Sequence, residues 1–92
     1  MTKQELIQKL AESSEDLTKE DVRLALDTVL DTIINGLADG KRVEVRGFGC
    51  FQLRYRKPRL GRNPRTGAVV PVEGKFFPHF KAGQALRERV DH

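Results

Sequence analysis

From Gly47 to Lys81 the chain reads GFGCFQLRYRKPRLGRNPRTGAVVPVEGKFFPHFK, and this stretch decides the fold. At its start Phe51, Leu53 and Tyr55 alternate with Gln52, Arg54 and Arg56, the period of two that sets one row of side chains against a core. Gly47-Phe48-Gly49 supplies a turn with an apolar tooth, and before it Val43 and Val45 alternate with Arg42, Glu44 and Arg46. The two runs are predicted to pair as an antiparallel hairpin. From Lys57 to Gly74 the alternation fades, with Pro58, Gly61, Pro64, Gly67 and Pro71 among basic residues and only Leu60, Val69, Val70 and Val72 to bury. Such a segment cannot build its own core, and a structureless loop of that length is uncommon in a compact domain. It is predicted to project instead, as two extended limbs between Arg54 and Lys75 that meet near residues 62–67. Each limb of about eight residues would reach roughly 25–30 Å. Phe76, Phe77 and Phe80 then restore strand character.

Outward from this stretch the period becomes helical. Thr2 with Glu5 fits a capping box ahead of Leu6, Ile7 and Leu10, which predicts a first helix from about Lys3 to Glu12. Ser13 to Asp16 read as a turn. Thr18 with Asp21 offers a second cap, followed by Val22, Ala25, Leu26, Val29, Leu30, Ile33, Ile34 and Leu37 on one stripe, closed by Asp39 and Gly40. Beyond the sheet, residues 82–90 read as a short last helix with Leu86 and Val90 inward. The fold class is therefore α+β in the order αα, βββ, α: a helix-turn-helix pair, a three-stranded antiparallel sheet with a long β-ribbon arm, and a C-terminal helix. One domain spans residues 1–92, with a helical dimerisation part over 1–40, the sheet over 41–81 carrying the arm at about 54–75, and the last helix over 82–92. The second helix carries more apolar stripe than one short helix and a small sheet can cover, and a chain of 92 residues is marginal alone. An intertwined dimer is the expected remedy. The competing reading is that the stripe fills a monomer's core.

Charge narrows the partner. Residues 1–40 hold 4 basic and 9 acidic side chains, net −5, whereas residues 41–92 hold 13 basic and 4 acidic, net +9. A focused positive field of that kind attracts phosphate polymers, so double-stranded nucleic acid leads the partner classes. No apolar run approaches membrane-spanning length, and the first residues do not form an export signal. Cys50 is the single cysteine, so neither an internal disulfide nor a cysteine cluster for zinc is expected, and the cytoplasm is the expected compartment. No metal or other cofactor is expected. Catalysis has no constellation to rest on: His79 and His92 are the only histidines, and Asp27 and Asp31 share a helix face with Glu20 and Arg23 as solvated charges. Gly47-Phe48-Gly49 lacks the later glycine of a dinucleotide fingerprint, and Gly61 to Gly67 lacks the ending of a phosphate loop.

The arm carries the chemistry. Arg54, Arg56, Lys57, Arg59, Arg62, Arg65 and Lys75 face a single acid, Glu73, so two arms would bring about twelve net positive charges. Arginine predominates, and its flat guanidinium can hold phosphate with two hydrogen bonds or enter a narrow minor groove. Neutralising about ten phosphates predicts a slope near −9 for log affinity against log salt. Asn63-Pro64 at the apex offers a rigid ring with no N–H, fit to push between base pairs, although an isolated Asn-Pro more commonly just starts a turn. Arg42, Glu44 and Arg46 on the sheet's polar face read equally as contacts to DNA or as a solvated face. Lys81, with Lys3, Arg87 and Arg89, is a weaker candidate for flanking phosphates. RNA binding is disfavoured by the lack of an exposed stacking platform.

The segments Arg46-Gly47-Phe48-Gly49-Cys50-Phe51, Tyr55-Arg56-Lys57-Pro58-Arg59 and Gly61-Arg62-Asn63-Pro64-Arg65-Thr66-Gly67 resemble the bacterial histone-like DNA-bending family of HU and integration host factor, over nearly the whole chain. Gly74-Lys75, Pro78-His79-Phe80-Lys81 and Leu86-Arg87-Glu88-Arg89 resemble the integration host factor beta type more than HU. The resemblance implies a dimer whose arms embrace the minor groove while proline tips intercalate and bend the duplex. Pro64 inherits the wedge, Arg62 and Arg65 the arm contacts, and Arg46 with Glu44 a place near the body's minor-groove contact. It also implies an alpha-type partner subunit, nucleoid association, and assistance to site-specific recombination, transcription and translation control. An HU-like homodimer that bends DNA with little sequence preference is the alternative. Two departures stand out: Cys50 occupies a position where a small hydroxyl residue is common, and Lys81-Ala82-Gly83 is HU-like.

Overall fold

Thr18 and Asp21 close a reciprocal capping box, each side-chain oxygen accepting the other residue's backbone N–H at 3.1 Å, and so start the longer helix. Thr2 does half of the same at the first helix, its hydroxyl accepting the Glu5 N–H. The computed structural model describes residues 1–91 and contains α1 (Lys3–Glu12), α2 (Lys19–Ala38), β1 (Val43–Val45), β2 (Gly49–Arg56), β3 (Arg59–Arg62), β4 (Val69–Val72), β5 (Lys75–Ala82) and α3 (Gln84–Val90). It divides into two compact units, residues 1–35 and residues 36 onward. None of the described helices is long and apolar enough to cross a membrane.

In the first unit Ile7 and Val22 are buried, and Lys3 pairs with Asp27 across the two helices. The stripe along α2 is otherwise open: Val29 is 54% exposed and Ile34 60%, and Leu24 and Leu30 are exposed as well. An open apolar groove runs along this unit past Leu10, Leu17, Val22, Leu26 and Val29. The stripe expected from the 3.6 period is present, and one chain does not cover it.

The second unit begins with the last turn of α2. Gly40, at φ +80°, donates to the Leu37 carbonyl while the Lys41 N–H reaches Gly36, the paired bonds of a glycine-terminated helix end. β1, β2 and β5 form an antiparallel sheet with β2 in the centre. Its register sets Phe51, Leu53 and Tyr55 opposite Phe80, Pro78 and Phe76, so the apolar row expected on β2 meets a matching row on β5. Phe80 packs between Phe48 and Phe51 at ring separations of 5.2 and 4.8 Å. Gly49 is held to its size there, because a Cβ would stand 2.6 Å from the Lys81 carbonyl oxygen and 2.7 Å from the Phe80 ring. Pro78 is tolerated because β5 is an edge strand.

β3 and β4 pair only with each other, from Arg59↔Val72 to Arg62↔Val69. The two limbs expected between Arg54 and Lys75 are therefore real, but they make five strands rather than three. The body ladder stops at Arg56↔Lys75, and the arm ladder restarts beyond Lys57-Pro58 and Glu73-Gly74. The last helix starts at Gln84 instead of residue 82 because Ala82 is still a sheet rung opposite Gly49, and the Gly83 N–H is taken by the Phe48 carbonyl.

Candidate nucleic-acid interface

Alternation on three registered strands gathers the polar residues on the sheet face opposite the aromatic row. Glu44 pairs with Cys50 and Cys50 with Lys81; further along, Gln52 meets His79, Arg54 meets Phe77 and Arg56 meets Lys75. Arg42 lies at the head of this face, its Nε–H donating to the Cys50 sulfur at 2.8 Å. That hydrogen bond, with Glu44 adding to it, holds the guanidinium above its ordinary range, so Arg42 keeps its charge throughout. Cys50 is buried, which matches its expected role as a packed residue. Arg46 stands in the turn that follows β1.

A shallow concavity brings Arg42, Glu44, Arg46, Cys50 and Lys81 together with Arg87 of α3. Sequence ranked Arg87 as a minor flanking cation; its place beside the trio follows from the β5–α3 turn, which no local pattern encodes. Gln52, Phe77 and His79 also share this face and were not singled out, although the period of two already placed Gln52 with Arg54.

Arg56 and Lys75 are direct cross-strand partners, an arrangement of like charges that costs stability until an anion arrives. The Arg56 guanidinium lies 4.6 Å over the Phe77 ring, which steadies it without neutralising it. Arg54, Lys57, Arg59, Arg62, Arg65 and Lys75 are exposed, and among the described residues no carboxylate pairs with them. Lys3, by contrast, is engaged by Asp27. Arg62 closes the arm ladder, and Lys57 and Arg59 lie at its root.

The apex is a built turn. The Asn63 side chain accepts the Arg65 N–H at 2.8 Å, the Asn63 carbonyl accepts the Gly67 N–H at 2.8 Å, and Thr66 Oγ accepts the Ala68 N–H. Gly67, at φ +70°, supplies the left-handed residue that returns the chain. Pro64 is exposed within this frame, lacking a donor that insertion between bases would strand. Asn63 and Pro64 thus divide the labour, one fixing the turn and the other presenting the ring. The thirteen candidate residues form two groups: the body face from Arg42 to Lys81, and the arm from Lys57 to Arg65.

Among the described residues no three metal-ligating side chains come together. What the arrangement offers is a hydrogen-bonding cationic face and a stiff-tipped cationic ribbon, the equipment of an architectural nucleic-acid-binding protein. The chain belongs to the bacterial DNA-binding protein family, whose model matches residues 1–91. It is similar to integration host factor subunit beta of Chromobacterium violaceum, 56% identical over 95 residues and covering 99% of this chain and 91% of that one. The corresponding subunit of Laribacter hongkongensis is 57% identical over 91 residues, covering 99% and 92%. Among solved structures, an Anabaena HU–DNA cocrystal matches with a TM-score of 0.91 at 38% identity, covering 99% and 98% of the two chains. HU from Thermotoga maritima matches with a TM-score of 0.69 at 35% identity, covering 99% and 100%. These relatives are architectural proteins and not enzymes, in keeping with the sequence reading.

Proposed function

We propose that the chain binds double-stranded DNA and bends it, laying its arm in the minor groove and inserting Pro64 between neighbouring base pairs. The observation that carries this reading is the exposed proline on a hydrogen-bonded turn at the end of an unpaired cationic ribbon. Arg62, Asn63 and Arg65 hold the backbone beside the wedge. Arg54, Arg56, Lys57, Arg59 and Lys75 line the arm's approach, and Arg42, Glu44, Arg46 and Lys81 meet the duplex on the body, with Glu44 orienting an arginine. Unstacking costs a few kcal/mol per step, the general figure for minor-groove wedges, and is offset as the bent duplex reaches more cationic surface.

The unit that acts is a dimer, its second subunit an alpha-type chain of integration host factor, and its place is the nucleoid in the cytoplasm. There it assists site-specific recombination and the control of transcription and translation. Residues 1–92 act as one domain, the helices pairing the subunits and the sheet and arm meeting DNA. The similarity to integration host factor beta subunits over nearly the full chain supports this choice of partner. The HU-like homodimer remains the second reading, supported by the likeness to the Anabaena HU–DNA cocrystal structure. The test is fluorescence transfer across an end-labelled duplex, with the purified chain alone and with a co-expressed alpha-type chain, on one preferred site and on scrambled DNA at fixed salt. A bend confined to the mixed dimer and the preferred site supports the first reading; equal bending by the single chain on both duplexes supports the second. A duplex that stays straight throughout refutes both.

A further inference from the structure

The body ladder ends at Arg56↔Lys75 and the arm ladder begins at Arg59↔Val72, so the arm leaves the body through two short links with no sheet pairing of their own. We propose that Gly74 and Tyr55 are positioning residues which fix the direction in which the arm leaves the sheet, and through it where Pro64 meets the duplex. The inference rests on the bending reading above.

Gly74 is needed here for room and not for its backbone angle. A Cβ on it would stand 2.8 Å from Tyr55 Cζ and 2.9 Å from Pro58 Cδ, and closer still to the Tyr55 hydroxyl oxygen. The bare Cα of one link is thus seated on the end of β2 and on the proline ring of the other link. Tyr55 is itself braced, its ring 5.0 Å from that of Phe76, its direct partner across the ladder. Pro58 has a fixed φ and no N–H, so neither link can give by simple rotation on that side. On the opposite face Arg56 lies over Phe77. The root is braced on both faces while the links between ladders carry no rungs.

Leverage makes the contact matter. About six residues separate Pro58 from Pro64, which at strand rise is roughly 20 Å, so a tilt of about 10° moves the apex by about 3.5 Å. That is about one base step along a strand, roughly 3.4 Å. A methyl group at position 74 would carry the wedge past its step without removing a single cation.

The test uses full-length dimer carrying Gly74→Ala, Tyr55→Leu, or both, on an end-labelled duplex. Gly74→Ala is expected to reduce the bend by more than half at saturating protein and to lower affinity about tenfold, because the DNA deformation is no longer repaid by seated contacts. The salt slope should stay at the parent value, since every arm cation remains. Adding Tyr55→Leu opens the space and should restore much of the bend, a coupling that independent damage at two sites does not produce. A parent-like bend with Gly74→Ala, or a double variant no better than Gly74→Ala, overturns the proposal. Should Gly74→Ala fail to fold, Tyr55→Leu alone reads the contact from its other side: the slackened root should lower the bend, and an unchanged bend overturns the proposal. A parent dimer that leaves DNA straight refutes the bending reading itself, an outcome distinct from variants that bend as the parent does.

Discussion

Pro64 and its arginine neighbours have separable duties. Pro64→Ala removes the stiff ring but no charge, so it is expected to keep most of the salt-dependent affinity while the bend measured by fluorescence transfer falls. An unchanged angle would count against the wedge. Arg62→Ala or Arg65→Ala should do the converse, weakening binding to all sequences and making the salt slope shallower by about one for each phosphate no longer neutralised. Isothermal titration across a salt series checks this. The sequence made these residues legible because Asn63-Pro64 and Gly67 carry local turn chemistry that neighbours do not alter. Arg42 donating to Cys50, and Arg87 beside Arg46, were not legible, because both depend on which strands and turns become neighbours.

At the level of the elements, the ends of α2 were written locally, in the Thr18–Asp21 box and in Gly40. Thr18→Ala should cost about 1 kcal/mol of stability, the usual value of a missing N-cap. Gly40→Ala forces a side chain into the left-handed region and should cost about 1–2 kcal/mol. Urea unfolding with the slope held fixed measures both. The hairpin from Val43 and the aromatic row of β5 also followed from the period of two. The split of the arm into its own ladder did not, since the interruption at Pro58 and Gly74 is a packing event around Tyr55 that hydropathy alone cannot register. The start of α3 slipped for a similar reason: the alternation of β5 runs on through Ala82 until Gly83 is caught by Phe48.

For the whole molecule, the uncovered stripe on α2 and the opposite charges of the two halves set the terms. Val29→Glu or Ile34→Glu puts a charge on the open stripe and should turn the dimer into a smaller, poorly folded species in sedimentation; an intact dimer would show that the second subunit sits elsewhere. The need for a second chain was readable from the excess of apolar positions on one helix, but the identity of that chain was not, because an exposed face specifies area more sharply than occupant. If covering that face and completing the fold are one event, dilution itself acts as a denaturant, and the melting temperature should climb with protein concentration. A cell making this subunit in excess would then leave the surplus open to proteases, so that turnover, with no separate regulator, would keep its supply in step with that of its companion.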